Sequence, residues 1–168
     1  VLVALSGGVD SALALAMLAD LGGDVVAVTF KNFCYGPDAD PGGRSCCSLD
    51  AIEDARALAA RFGARHWVTD VSEAFRAQVI APFVREYRAA RTPNPCLSCN
   101  SHVRFPHLVN LADQLGCRFV ATGHYARTAP VGEAGCRLLR GVDREKDQAY
   151  FLSHVPASLL PHVVFPLG

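Results

Sequence analysis

The chain has no charge excess of either sign. Sixteen Lys and Arg stand against sixteen Asp and Glu over 168 residues, a formal net charge of zero. That argues against a generally basic nucleic-acid coat and leaves only local basic patches to be sought. No apolar run reaches the roughly 18 residues that a membrane-spanning helix needs, and no signal-peptide pattern stands at the start. Internal repeats and low-complexity tracts are lacking as well. The cysteines do not pair off: there are seven, namely Cys34, Cys46, Cys47, Cys96, Cys99, Cys117 and Cys136. Without secretory signals an odd number argues against a disulfide framework, so the expectation is a cytoplasmic protein with mostly reduced thiols. An initiator Met is missing too, and Val1-Leu2-Val3-Ala4-Leu5 reads as a strand already inside a fold. The sequence is therefore expected to be one excised domain covering 1–168.

What is present suits a folded domain. Hydrophobic residues make up 51% and charged residues 19%, enough to build a core and too apolar for disorder. Short β-rich runs fall at 1–5, 24–30, 66–70 and 118–122. Helical spacing falls between them: Ile52, Ala55, Leu58, Ala59 and Phe62 in 50–62, and Phe105, Leu108, Leu111, Ala112 and Leu115 in 101–115. Gly22, Gly63 and Gly116 stand where left-handed residues end helices. Strands alternating with helices predict an α/β fold with a doubly wound, mostly parallel sheet, whose ligands sit at the carboxyl ends of the strands. Segment 34–47 reads as a loop and 129–136 as a hairpin tip or insertion.

The first chemical motif is Ser6-Gly7-Gly8-Val9-Asp10-Ser11, between strand 1–5 and a helix of good formers, 12–21. Two glycines let backbone N–H groups approach an anion, and the helix start adds free donors and a positive dipole end. Ser6 and Ser11 add hydroxyls, and Asp10 suits Mg²⁺. No Lys follows the glycines, so this is not a Walker-type loop. The competing reading is a plain strand-to-helix turn capped by Asp10 or Ser11.

The second motif is Arg91-Thr92-Pro93-Asn94-Pro95-Cys96-Leu97-Ser98-Cys99-Asn100. Two prolines stiffen the approach, and a helix predicted from 101 would place Cys99 at its N-terminus. There a thiolate is stabilised, with Arg91 or Arg104 as helpers. Three readings stay open: Cys99 as nucleophile, Cys96 and Cys99 as ligands of zinc or an iron–sulfur cluster, and two packed thiols. Further on, Gly123 in Ala121-Thr122-Gly123-His124-Tyr125-Ala126-Arg127 permits close backbone approach to a ligand. The run 143–148 is either a solvated face or, through Lys146, Asp147 and Gln148, a grip on a base and its phosphate.

Taken in order, Ala4 to Ser11, Cys46-Cys47, Thr92 to Asn100, Ala121 to Arg127, Lys146-Asp147-Gln148-Ala149-Tyr150-Phe151-Leu152 and Phe165-Pro166-Leu167-Gly168 resemble the N-terminal domain of the tRNA-specific 2-thiouridylases of the MnmA type. The first motif is shared with the wider superfamily of N-type ATP pyrophosphatases, of adenine nucleotide alpha hydrolase-like fold. The resemblance implies ATP, with Mg²⁺, on Ala4, Leu5, Ser6, Gly7, Gly8, Val9, Asp10, Ser11, Phe30 and Gly123. It implies adenylation of the C2 carbonyl oxygen of a tRNA wobble uridine, then replacement of that oxygen by sulfur from a cysteine persulfide charged by a sulfur carrier or cysteine desulfurase. Cys99 matches the family's first catalytic cysteine, and Asp10 stands with it as catalytic. Asn94, Pro95, Cys96, Lys146, Asp147 and Gln148 match tRNA-contacting segments. Position 96 is often Asp in the family and is Cys here, which keeps a cluster or a Cys96–Cys99 disulfide in play. The family's persulfide-forming cysteine lies beyond Phe-Pro-Leu-Gly, and no cysteine of this chain matches it. An amidating or ligating synthetase of the same superfamily, and a nucleotide-binding regulatory domain, are the competing functions.

Overall fold

The computed structural model describes residues 1–32, 49–132 and 135–168. Cys34, Cys46, Cys47 and the predicted loop 34–47 lie outside the described residues. Strand β1 (Leu2–Ala4) leads into α1 (Val9–Asp20), then β2 (Val26–Lys31), α2 (Leu49–Arg61) and β3 (Arg65–Asp70). Two long helices follow, each with a π-wound segment in its interior. The first runs through α3 (Ser72–Phe75), the π segment Arg76–Ile80 and α4 (Ala81–Arg88). The second runs through α5 (Pro95–Ser98), the π segment Cys99–Arg104 and α6 (Phe105–Gln114). The chain then forms β4 (Val120–Ala121), a hairpin of β5 (Ala126–Val131) and β6 (Gly135–Arg140), the short α7 (Ala149–Leu152), and β7 (Val163–Val164).

Five strands make one sheet in the order β3-β2-β1-β4-β7, and every neighbouring pair is parallel. Consecutive β residues point to opposite faces, and both faces are covered along β1, β2 and β4, while Trp67 and Val68 of edge strand β3 are exposed among the described residues. Leu2 packs with Phe105, Leu108, Val120 and Leu152 on one side. Its neighbour Val3 packs with Leu15, Ala55, Ala59 and Ala121 on the other. This is why the strands read as continuous apolar runs. The chain winds outward from β1 to β3, then crosses back to place β4 on the other side of β1. A parallel sheet that reverses in this way opens a crevice at the carboxyl ends of the two strands flanking the switch, here β1 and β4.

The expected strands and the helix at 50–62 are all found within two residues of their predicted ends, the fourth strand as Val120–Ala121. Gly22, Gly63 and Gly116 take φ of 73°, 67° and 69°, as their helix-ending positions require. Within the segment expected at 129–136, the described residues lie on the paired ends of β5 and β6, with Pro130 opposite Cys136 and Val131 opposite Gly135. The helix over 72–88 was not foreseen from sequence, although Phe75, Val79, Phe83 and Tyr87 recur every four residues along it.

One expectation is corrected. The helix carrying the cysteines begins at Pro95, six residues before the predicted start. Asn94 is its N-cap, its side chain accepting the Cys96 N–H at 3.0 Å. Pro95 holds the first helical position, where a missing N–H costs nothing. Cys96 therefore occupies the first turn, and Cys99 lies one turn further in, opening the π segment rather than the helix.

Candidate nucleotide and base site

The phosphate loop is built by its own polar groups. Gly7 has φ of 77°, a left-handed value that a residue with a Cβ would adopt only under strain, and a Cβ there would also come within 3.1 Å of Ala51. Gly8 caps α1 with no side-chain hydrogen bond, which leaves the helix's first N–H groups for another acceptor. Ser11 is buried; its hydroxyl accepts the Ser6 N–H at 3.2 Å and donates to the Gly8 carbonyl at 2.9 Å, while Ser6 Oγ lies 3.2 Å away. Neither Asp10 nor Ser11 is the cap, which sets aside the reading of a plain capped turn.

Above this loop lies a cleft of about 190 Å³ lined by Ala4, Leu5, Ser6, Asp10, Ser11, Phe30 and Gly123 among others. Those seven are predicted nucleotide residues. Gly7 and Gly8 shape the loop without lining the cleft, and Val9 turns its side chain to solvent, 82% exposed. Gly123 has a second duty: a Cβ there would fall 2.6 Å from the Asp10 carbonyl carbon and 2.7 Å from the Ser11 nitrogen. Its lack of a side chain lets β4's loop close on the first turn of α1. Asn32 and Thr122 also line it and were missed from sequence, since each is a single polar residue just past the end of a strand.

A second cleft, of about 270 Å³, is lined by Cys96, Cys99, Asn100, Arg104, His124, Gln148 and Phe151. Arg104, His124 and Gln148 also line the first cleft, so the two share a wall. Of the two helper arginines suggested by sequence, Arg91 is committed to Glu86 on the surface, and Arg104 is the one at the site. Burial, and secondarily the positive charge of Arg104, press His124 down to about 3. Its ring is therefore neutral at ordinary pH, with Nδ1 2.8 Å from Thr122 Oγ1 and the rings of Phe105 and Phe165 on its flanks. Asn100, buried, donates to the Phe151 carbonyl at 2.9 Å and ties the cysteine helix to α7.

The segment 146–148 divides in role. Lys146 is exposed, its ammonium 5.1 Å from the centre of the Tyr125 ring. Asp147 faces its own backbone instead: Oδ1 accepts the Gly141 N–H at 2.9 Å and the Ala149 N–H at 3.1 Å. The Gly141 bond leads the effects that hold its carboxyl below the usual range. Gln148 accepts the Tyr125 N–H at 3.0 Å and lines both clefts.

The loop's donors fit a polyphosphate, and the carboxylate of Asp10 fits Mg²⁺, which takes one or two carboxylates beside substrate phosphates. A zinc or iron–sulfur site is less well provided for. Among the described residues no group of three or more His, Cys, Asp and Glu is placed to hold a metal. Cys117 and Cys136 pack against the hydrophobic core. No helix among the described residues is long and apolar enough to cross a membrane.

Sheet order, glycine loop and crevice together define an adenine nucleotide alpha hydrolase-type domain of the PP-loop kind. Over residues 1–168 the sequence matches the family described as the tRNA methyl transferase HUP domain, and the chain belongs to that family. It is 49% identical over 168 residues to the bifunctional protein NifU/MnmA of Rubrobacter xylanophilus and 44% identical over 171 to the tRNA-specific 2-thiouridylase MnmA of Salinibacter ruber. It is 42% identical over 177 to the protein of that name from Thermus thermophilus. Each alignment takes in all of this chain but 33%, 45% and 46% of the relative, so the chain spans less than half the length of these curated relatives. Among solved structures it is similar in fold to a predicted subunit of tRNA methyltransferase from Methanocaldococcus jannaschii. That likeness has a TM-score of 0.51 at 19% identity, over 99% of this chain and 66% of the other. A glutamine-dependent NAD+ synthetase from Acinetobacter baumannii, in complex with ADP, gives a TM-score of 0.50 at 24% identity, over 72% of this chain and 21% of the other.

Proposed function

We propose that this chain is the ATP-using catalytic domain of a tRNA-uridine 2-sulfurtransferase. The observation that carries the reading is the shared wall: Arg104, His124 and Gln148 face both the phosphate-loop cleft and the cleft that holds Cys96 and Cys99. A base seated beside Cys99 would look across that wall at the α-phosphate of ATP. The family membership and the named relatives support the choice of tRNA as the nucleic acid.

ATP would lie with its phosphates on residues 6–11 and its adenosine towards Phe30. O2 of the wobble uridine attacks the α-phosphorus, the bond to the β-phosphate oxygen breaks, and pyrophosphate leaves. Mg²⁺, held by Asp10, would neutralise phosphate charge. The protein's own part is positioning and electrostatics. Loop N–H groups hold the phosphates, Arg104 supplies positive charge where the anion develops, and neutral His124 offers a ring nitrogen without competing as a cation. The outer sulfur of a cysteine persulfide then attacks C2 and AMP departs; the Cys99 thiolate attacks the inner sulfur, so the persulfide S–S bond breaks, 2-thiouridine is released and Cys99 is left in a disulfide with the persulfide-bearing cysteine. Asn94, Pro95, Cys96, Lys146 and Gln148 would meet the RNA. Sulfur carriers or a cysteine desulfurase would supply the donor in a cytoplasmic setting. Cys96 and Cys99 could instead share a cluster or a disulfide, and iron and zinc analysis of anaerobically purified protein separates those states from two free thiols.

ATP–pyrophosphate exchange tests the reading. Exchange is expected only with tRNA carrying a wobble uridine, and not with tRNA carrying cytidine there. Exchange that ignores tRNA altogether would transfer the chain to the ligating or amidating synthetases of the superfamily.

A further inference from the structure

Tyr125 stands between two parts of the site that the functional reading keeps separate. Its hydroxyl donates to Asp10 Oδ1 at 3.2 Å, across 115 residues of sequence. Its ring carries the Lys146 ammonium at 5.1 Å. Its backbone is held from both sides by one residue: the Tyr125 N–H donates to Gln148 Oε1 at 3.0 Å, and the Gln148 N–H donates to the Tyr125 carbonyl at 2.9 Å. Gly141 closes on the same carbonyl, a Cβ there falling 3.0 Å from it.

We propose that Tyr125 couples RNA docking on 146–148 to the nucleotide site, as a positioning residue for Asp10. The inference rests on the functional reading above. Among the described residues the Tyr125 hydroxyl is the side-chain group that bonds Asp10, an exposed carboxylate at the start of a helix. Free of it, Asp10 would sample several rotamers; bonded through Oδ1, it presents Oδ2 in one direction. The phenol's own aim depends on the double clamp from Gln148 and on Lys146 over its ring. An RNA phosphate that fixes 146–148 therefore fixes the phenol, and the phenol fixes the carboxylate that meets Mg·ATP. Each ligand meets part of the ordering cost of the other, which is positive coupling without a large movement. Linkage makes it reciprocal: ATP must tighten tRNA by the factor by which tRNA tightens ATP.

The experiment uses the full-length protein, with tRNA affinity measured by filter binding with and without α,β-methylene-ATP and Mg²⁺, and nucleotide affinity measured with and without tRNA. Wild type is expected to show the same tightening in both directions, on the order of five- to tenfold. Tyr125→Phe keeps the ring and the backbone clamps and loses only the hydroxyl. It is expected to hold each ligand alone within about twofold of wild type and to lose the tightening. A Phe variant that keeps the tightening overturns the inference, as does one that loses either affinity by itself, which would mark the hydroxyl as merely structural. If wild type binds both ligands with no coupling, the inference falls alone. If wild type fails to bind ATP or tRNA, the functional reading falls and takes the inference with it.

Discussion

Gly123 and Asp10 touch backbone to backbone: a Cβ on Gly123 would sit 2.6 Å from the Asp10 carbonyl carbon. The obstacle is main chain at the first turn of α1, which cannot turn aside as a side-chain tip would. Gly123→Ala must therefore push β4's loop and the phosphate loop apart. The expected cost is about 1–3 kcal/mol of stability and at least a tenfold loss of ATP affinity, read by thermal unfolding and by titration calorimetry. An Ala variant with native ATP affinity would show that the two segments yield freely.

The two cysteines should separate in a side-by-side assay. Cys96 is exposed in the first helical turn, while Cys99 is half-buried one turn further in, and both line the same cleft. Cys99→Ser is expected to retain tRNA-dependent ATP–pyrophosphate exchange and to lose thiolation by at least a hundredfold. Cys96→Ser is expected to leave both within about threefold. Equal loss in the two variants would favour a cluster or a disulfide that needs both thiols.

Much of this site was legible in the sequence because its chemistry is local. Ser6 to Ser11 form a loop whose geometry needs only neighbours in the chain, and Gly7 at φ of 77° states that need openly. The helix start at Pro95 was concealed by the prolines themselves: Pro93 and Pro95 read as breakers, yet Pro95 at the first helical position begins the helix. Asp147 has a role that the sequence hid for a different reason. Inside a charged run it resembles a solvated or RNA-facing carboxylate, and only the close pass of Gly141 shows that it also satisfies a backbone donor. Tyr125 could not be found at all, since its partner Asp10 is 115 residues away.

His124 should make stability fall as the solution is acidified. Its folded value, about 3, lies below the ordinary 6.5, so between those values the unfolded chain takes up a proton that the native chain refuses. This contribution is intact above about pH 6.5. It is lost on descending towards pH 3, at no more than about 1.4 kcal/mol per pH unit. His66, lowered chiefly by burial, acts in the same direction. Asn can reproduce the Nδ1 contact to Thr122 and does not titrate. Subtracting the His124→Asn profile from wild type in urea titrations between pH 4 and 7 should therefore leave a rising slope, and a flat difference would mean that His124 charges freely in the fold.

Chain 1–168 and a relative of full length should part company at sulfur transfer. Residues of this chain line the cleft proposed for ATP, and the chain spans less than half of its relatives' length, while the resemblance places the persulfide-forming cysteine beyond Gly168. Isolated 1–168 is expected to bind ATP and to leave tRNA unthiolated. Thiouridine formed by the isolated chain, seen by mass spectrometry of digested tRNA, would mean that one of its own cysteines carries the persulfide.

Lys146 and Asp147 are adjacent, yet their substitutions should fail in different ways. Lys146 is exposed and holds its charge over the Tyr125 ring; Lys146→Ala removes one cation from the side proposed to meet RNA. It should weaken tRNA binding a few-fold, reduce the slope of log K against log salt by about one, and leave the melting temperature unchanged. Asp147→Ala instead strands the N–H of buried Gly141, so about 1–3 kcal/mol of stability should be lost. Asp147→Asn, which can still accept that N–H, should recover most of the loss. Because the carboxyl is held below its usual range, its own contribution is present above about pH 4 and disappears as the pH falls through its folded value. If Asp147→Ala melted like wild type while its salt slope fell by one, the side chain would belong to the RNA interface after all.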